Sequence, residues 1–76
     1  MSRNRTAFHT DESFQELDGT FNVAAITENE PGYSVRSHHK TLDEAQRIAW
    51  RLNLACGLRR EDVQAIRLSS MMAGSI

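Results

Sequence analysis

Seventy-six residues, 39% of them hydrophobic and 25% charged, carry a formal net charge of −1. That length makes one domain, residues 1–76, which hides only about 60% of its unfolded surface, and the near-neutral balance argues against a dedicated nucleic-acid binder. Cys56 is the only cysteine, which excludes a disulfide within the chain, and no apolar run approaches the ~20 residues of a membrane span.

The opening Met1-Ser2-Arg3-Asn4-Arg5-Thr6 has no apolar signal-peptide region. Together with the absence of paired cysteines, this suits a reducing cytoplasm. Residues 1–9 read as flexible and residues 20–70 as the core. Thr10 is placed to cap a short helix, Asp11 to Leu17, with acids in its first turn and Phe14 and Leu17 on one face. Asp18-Gly19 ends that helix.

Phe21 to Glu28 reads as a strand in which Phe21, Val23 and Ala25 alternate with Asn22 and Ala24. Ile26 interrupts the alternation, which points to a bulge or to burial on both faces. Asn29-Glu30-Pro31-Gly32 is a turn: Pro31 sets φ at the second position, and Gly32 supplies the positive φ that a type II turn needs at the third. Tyr33 to His39 returns as the hairpin partner. Tyr33, Val35 and Ser37 fall on one side of it, and Ser34, Arg36 and His38 on the other.

Thr41 to Gly57 is the best-defined segment. Thr41-Leu42-Asp43-Glu44 matches a capping box, Asp43 and Arg47 are spaced for a helical ion pair, and Gly57 can take the left-handed position after the last turn. Leu58 would then fold back on Leu52 or Asn53. Leu42, Ala45, Ile48, Ala49, Leu52, Ala55 and Cys56 share an apolar arc, so Cys56 reads as a small buried hydrophobe. Trp50 and Leu54 fall nearly opposite, beside Arg47 and Arg51. Arg59 to Asp62 reads as a solvated turn. Val63 to Ser70 fits a third strand and also fits a helix, with Ile66 and Ser70, and Leu68 and Met72, four apart. The strand is preferred because a hairpin alone makes a thin sheet. Ser75-Ile76 should be loose. The expected architecture is a small α+β domain of ββα(β) type: an antiparallel hairpin, one long amphipathic helix across it, and a third strand.

No catalytic motif is present, and the chain reads as not an enzyme. Serine, cysteine and histidine show no nucleophile spacing. His38 and His39 are adjacent on a strand, point to opposite faces and cannot share a metal. The four glycines are isolated, so no phosphate loop exists. No cofactor or metal is expected. Charge is unevenly spread: residues 1–30 carry two bases against six acids, and residues 31–76 carry seven bases against four acids.

The clearest functional signal is the face of Trp50, Leu54, Arg47 and Arg51. Tryptophan and arginine are enriched at interface hot spots. Three covers fit this face: the N-terminal segment folding back with Phe8, Phe14 and Leu17, a second copy of the chain in a structural homodimer, or a foreign protein. The N-terminal segment is the favoured cover of the three; as a function, the preferred reading is that the face binds another protein, with the acidic N-terminal patch available as a second contact. A compact chain whose strand pair closes at Glu30-Pro31-Gly32 under a helix opening Thr41-Leu42-Asp43-Glu44-Ala45 resembles the small accessory proteins of phages and mobile elements, anti-CRISPR proteins among them. The resemblance covers about residues 20–70 in size and architecture. It implies an inhibitor that occupies a surface of a host protein complex, in some cases by presenting acids where nucleic acid would lie. The rival is a nucleic-acid-binding module built on Arg36, His38, Lys40, Arg47, Arg51, Arg59 and Arg60 with Trp50 as a stacking platform.

Overall fold

The chain folds as β1 (Thr6–His9), a single 3-10 turn (Glu12–Phe14), β2 (Phe21–Thr27), β3 (Ser34–His39), α1 (Leu42–Ala55) and α2 (Arg60–Ala73). These elements come from a computed structural model that describes residues 4–74. The strands form one antiparallel sheet in the order β1-β2-β3. The α+β class and the ββα unit are as expected, but the third strand comes from the other end of the chain. Thr6 to His9, read as part of a flexible 1–9 segment, pairs with β2 from Thr6↔Thr27 to His9↔Ala24. Val63 to Ser70 is not a strand but the middle of α2. With the sheet completed by β1, the helix formers Gln64, Ala65, Arg67 and Leu68 follow their own preference, and Glu61 and Asp62 favour the positive end of the helix. Met1–Arg3 and the Ser75-Ile76 end lie outside the described residues.

β2 is central and is covered on both faces. Val23 packs with Ala45 and Ala49 of α1, supported by Phe8, Phe21, Ile48 and Leu52. Ala24 and Ile26 pack with Ala7, Leu58 and Ile66, supported by Phe14 and Val63. Successive strand residues point to opposite faces, so α1 and α2 take opposite sides of the sheet. This explains why Ile26 breaks the apolar alternation: a strand buried twice has no solvent face to write in polar residues. A bulge is present as well. Pairing passes from Val23↔Ser37 to Ala24↔Val35, which leaves Arg36 of β3 without an opposite number.

Local signals around α1 are largely realised. The Thr41 hydroxyl accepts from the Glu44 N–H at 3.1 Å, although the Glu44 carboxylate turns to His39 instead of closing the capping box. At the other end Gly57 takes φ 73°, its N–H donates to the Leu54 carbonyl at 3.0 Å, and the Leu58 N–H donates to the Asn53 carbonyl at 2.9 Å. This is a Schellman reversal, and it delivers Leu58 into the core of the other face. Gly32 is left-handed as the turn requires, and Asn29 joins it at φ 63°. The helix expected over Asp11 to Leu17 shrinks to one 3-10 turn capped by Asp11 and not by Thr10. A seven-residue helix is marginal, and here Gln15 bridges to Phe21 while the Glu16 N–H bonds the Thr20 carbonyl. Cys56 is exposed, a correction to its expected burial, because the chain is already turning there.

The residue that locks α1 to the sheet is Asn53, which is 4% exposed. Its Oδ1 accepts from the Phe8 N–H at 2.7 Å, and its Nδ2 donates to the Phe8 carbonyl at 2.8 Å. One amide side chain thereby acts as a missing strand along β1. The opposite edge, β3, is blunted by its bulge and by Arg36.

Two measurements check this architecture. Asn53→Ala leaves two polar groups of Phe8 unmatched, and urea unfolding is expected to show a loss of about 2–4 kcal/mol. Ile66→Ala is expected to cost about 2–5 kcal/mol and Leu68→Ala under about 0.5 kcal/mol. A strand would bury these two residues together, and equal losses would contradict the helix.

Candidate functional site

The burial of Asn53 resets the geometry of α1. The concealed residues run Ala45, Ala49, Asn53, so the buried arc is centred near Ala49. Trp50, one residue on, lies about 100° round from it. It stands on the flank of the helix and not opposite the core, a correction that the polar Asn53 at the edge of the buried arc concealed from the sequence. The indole is 41% exposed and Leu54, further round, 53%. Neither ring nor leucine is wedged under the helix.

The ring is covered in part by α2. The Arg60 guanidinium lies over it, 5.3 Å from the ring centroid. None of the three expected covers includes this contact, because Arg60 read as part of a solvated turn. Of the N-terminal residues expected over Trp50, only Phe8 is near it. Phe14 lies on the other face, edge-on to Tyr33 at 4.9 Å, and Leu17 is fully exposed.

Trp50 and Arg60 border a groove of about 510 Å³ at the β1 edge of the sheet, where α1 and α2 diverge. Phe8, Ala49 and Val63 make its apolar part, and Gln46, Asn53 and Gln64 contribute amides. No carboxylate lines it. Thr10 also lines it and is buried, and its hydroxyl finds no hydrogen-bond partner among the described residues.

Of the four residues singled out on α1, Trp50 borders the groove and Leu54 and Arg51 are exposed on the same helix beyond it. Arg47 is held by Asp43 at 2.9 Å. The basic residues do not converge. Arg36 and Lys40 belong to β3 and its exit, while Arg59 and Arg60 open α2 at the β1 edge. His38 is exposed, and His39 is turned in.

The acids do not form one face either. Asp11, Glu12, Glu16 and Asp18 lie in the β1–β2 connection at one end of the sheet, and Glu28 and Glu30 in the β2–β3 turn at the other. Most are engaged locally. The Ser13 hydroxyl, then His9 and the Ser13 N–H, hold the Asp11 carboxyl below its usual value. The Thr20 hydroxyl at 2.6 Å and its N–H at 3.0 Å do the same for Asp18. Arg5 chelates Glu28 with its side chain and its own N–H, and lowers that carboxyl from 4.5. Arg5 also reaches Asp62 at 3.4 Å, tying the start of α2 to β1.

One constellation escapes the spacing argument. Ser37 and His39 share a strand face, with Ser37 Oγ 2.8 Å from His39 Nε2, and His39 Nδ1 lies 3.6 Å from Glu44 Oε1. The chain Ser37–His39–Glu44 is invisible as a motif because Glu44 arrives from the first turn of α1. It links β3 to that turn, on the far edge of the sheet from the Trp50 groove. Among the described residues no group of three or more His, Cys, Asp or Glu side chains is placed to hold a metal, and no helix is long and apolar enough to cross a membrane.

No family model, curated protein or solved structure was found to match the chain.

The lowered carboxyl of Glu28 has a definite sign. A group whose folded value is depressed stabilises above its unfolded value and loses that contribution as pH falls through the folded one. Stability is therefore expected to hold above about pH 5 and to decline on acidification below it. Thermal unfolding of Arg5→Gln should show a shallower decline; an unchanged acid limb would remove the Arg5–Glu28 pair as a cause.

Proposed function

We propose that this chain is a small non-enzymatic protein-binding module whose contact surface is built around Trp50, with Leu54, Arg51 and Arg60 beside it. The observation that carries the reading is a half-exposed tryptophan, stacked under an arginine, on the rim of an apolar-floored groove. Such an anchor is costly to leave in water and suits a partner that completes its burial. An inhibitor of a host complex, of the phage accessory or anti-CRISPR type, is the biological form of this reading. Its support is the small two-sided α+β frame and the absence of a dedicated enzyme motif in the sequence. Acid mimicry of nucleic acid is not part of it, since the acids are divided between the two ends of the sheet.

The separation of Arg36 and Lys40 from Arg59 and Arg60 weighs against the nucleic-acid alternative. A second copy of the chain remains a distinct occupant, and it separates by mass. Trp50→Ala is expected to cost about 1–2 kcal/mol, to keep a cooperative unfolding transition, and to abolish capture of the host partner that the unsubstituted chain retains. Sedimentation of the unsubstituted chain is expected to give a monomer at all concentrations. A dimer that Trp50→Ala dissociates would replace partner binding with self-association.

A further inference from the structure

We propose that the Trp50 groove receives an acidic segment of a partner protein, with one carboxylate held by Arg60 and an apolar side chain seated on Phe8, Ala49 and Val63. This rests on the protein-binding reading above and adds the chemistry of the partner.

Charge complementarity carries the assignment. The groove is lined by one formal cation, Arg60, and by His9, whose Nε2 lies 3.0 Å from the Asp11 carboxylate; no carboxylate is itself among the lining residues. Among the described residues the arginine ion pairs are Arg5 with Glu28 and Asp62, and Arg47 with Asp43; Arg60 has none. The guanidinium carbon lies 5.3 Å over the Trp50 ring, and its N–H groups meet no carboxylate among the described residues. A guanidinium oriented by an aromatic ring is preorganised for a planar carboxylate, which accepts two parallel N–H bonds.

The size and lining suit a short peptide segment held by its side chains. About 510 Å³ is within the range of clefts that seat a compact ligand. Asn53 already satisfies the N–H and carbonyl of Phe8, so a peptide has no free strand edge to pair with there. Recognition then falls to side chains. Gln46 on α1 and Gln64 on α2 are exposed on the two walls, and each offers a donor and an acceptor to a peptide backbone. A nucleobase is the poorer fit. It stacks on an open ring face, and Arg60 occupies one face of Trp50.

Trp50 is the only tryptophan, so its emission reports the groove directly. The full chain is titrated with an acetylated, amidated hexapeptide alternating glutamate and leucine, with its glutamine and lysine counterparts, and with a short oligothymidylate. The expected result is a saturable shift with the glutamate peptide alone. Arg60→Gln should weaken it about ten- to hundredfold, the size of one charge-assisted hydrogen bond, and Arg36→Gln on the opposite edge should leave it unchanged. Gln64→Glu, which adds an anion to an exposed wall, should weaken it also and carries the test if Arg60→Gln does not fold by circular dichroism. No shift with the glutamate peptide overturns the proposal. Equal binding of the glutamine or lysine peptide removes the acidic assignment and leaves the protein-binding reading standing. A shift with oligothymidylate and no peptide removes both. A shift on concentrating the chain alone, with no ligand, gives the groove to a second copy and overturns the proposal.

Discussion

The bond pair between Asn53 and the backbone of Phe8 is the constraint on which the rest of the arrangement depends. It satisfies the outward N–H and carbonyl of Phe8 on the outer edge of β1 without a fourth strand. It also fixes the rotation of α1 about its own axis, since the amide must face the strand. That rotation puts Ala45 and Ala49 on Val23 and places Trp50 on the flank. Shortly after Asn53 the Schellman turn at Gly57 carries the chain round the same edge, and Leu58 enters the core on the other side. A buried amide is tolerated here because both of its polar atoms are matched; unmatched, it would cost more than an apolar residue in its place.

A consequence is a core split in two by its own sheet. Ala7, Ala24 and Ile66 on one side and Val23 and Ala45 on the other are fully buried, and most of them are small. Small residues let helices approach the strands closely but bury little area each, so the margin left to a chain of this length is thin. The peripheral ties matter correspondingly. Ser70 donates to the Glu30 carbonyl, Ser69 accepts from the Asn29 N–H at 2.7 Å, and Arg5 joins Glu28 and Asp62. These contacts tie both the start and the end of α2 to the β2–β3 turn end of the sheet, while its outer face, with Leu68, Met71 and Met72, stays exposed.

The same wrap-around creates the groove. Two helices on opposite faces cannot touch along their length, and they come closest where the connection rounds the β1 edge. Trp50 from one helix and Arg60 from the other meet there. The aromatic and the cation are ten residues apart, and neither a helical period nor a strand period relates them. The interaction exists because the reversal at Gly57 folds the start of α2 back beside α1.

What the sequence by itself determined was local: the Thr41 cap, the α1 helix and its Gly57-Leu58 stop, the left-handed Gly32, the paired strands, and an aromatic–basic face centred on Trp50. Each depends on interactions within a few residues, where capping atoms, backbone φ and side-chain period are written directly in the order of residue types. Tertiary structure alone decided the elements whose state turns on distant partners. Thr6 to His9 is a strand because β2 pairs with it and Asn53 seals it. Val63 to Ser70 is a helix because that third strand was already supplied. Trp50 lies beside Arg60 because the chain rounds the sheet edge between two helices on opposite faces, and Ser37 and His39 meet Glu44 because β3 leads directly into the first turn of α1. A short apolar run fits either period equally well, and burial against a partner far along the chain breaks the tie.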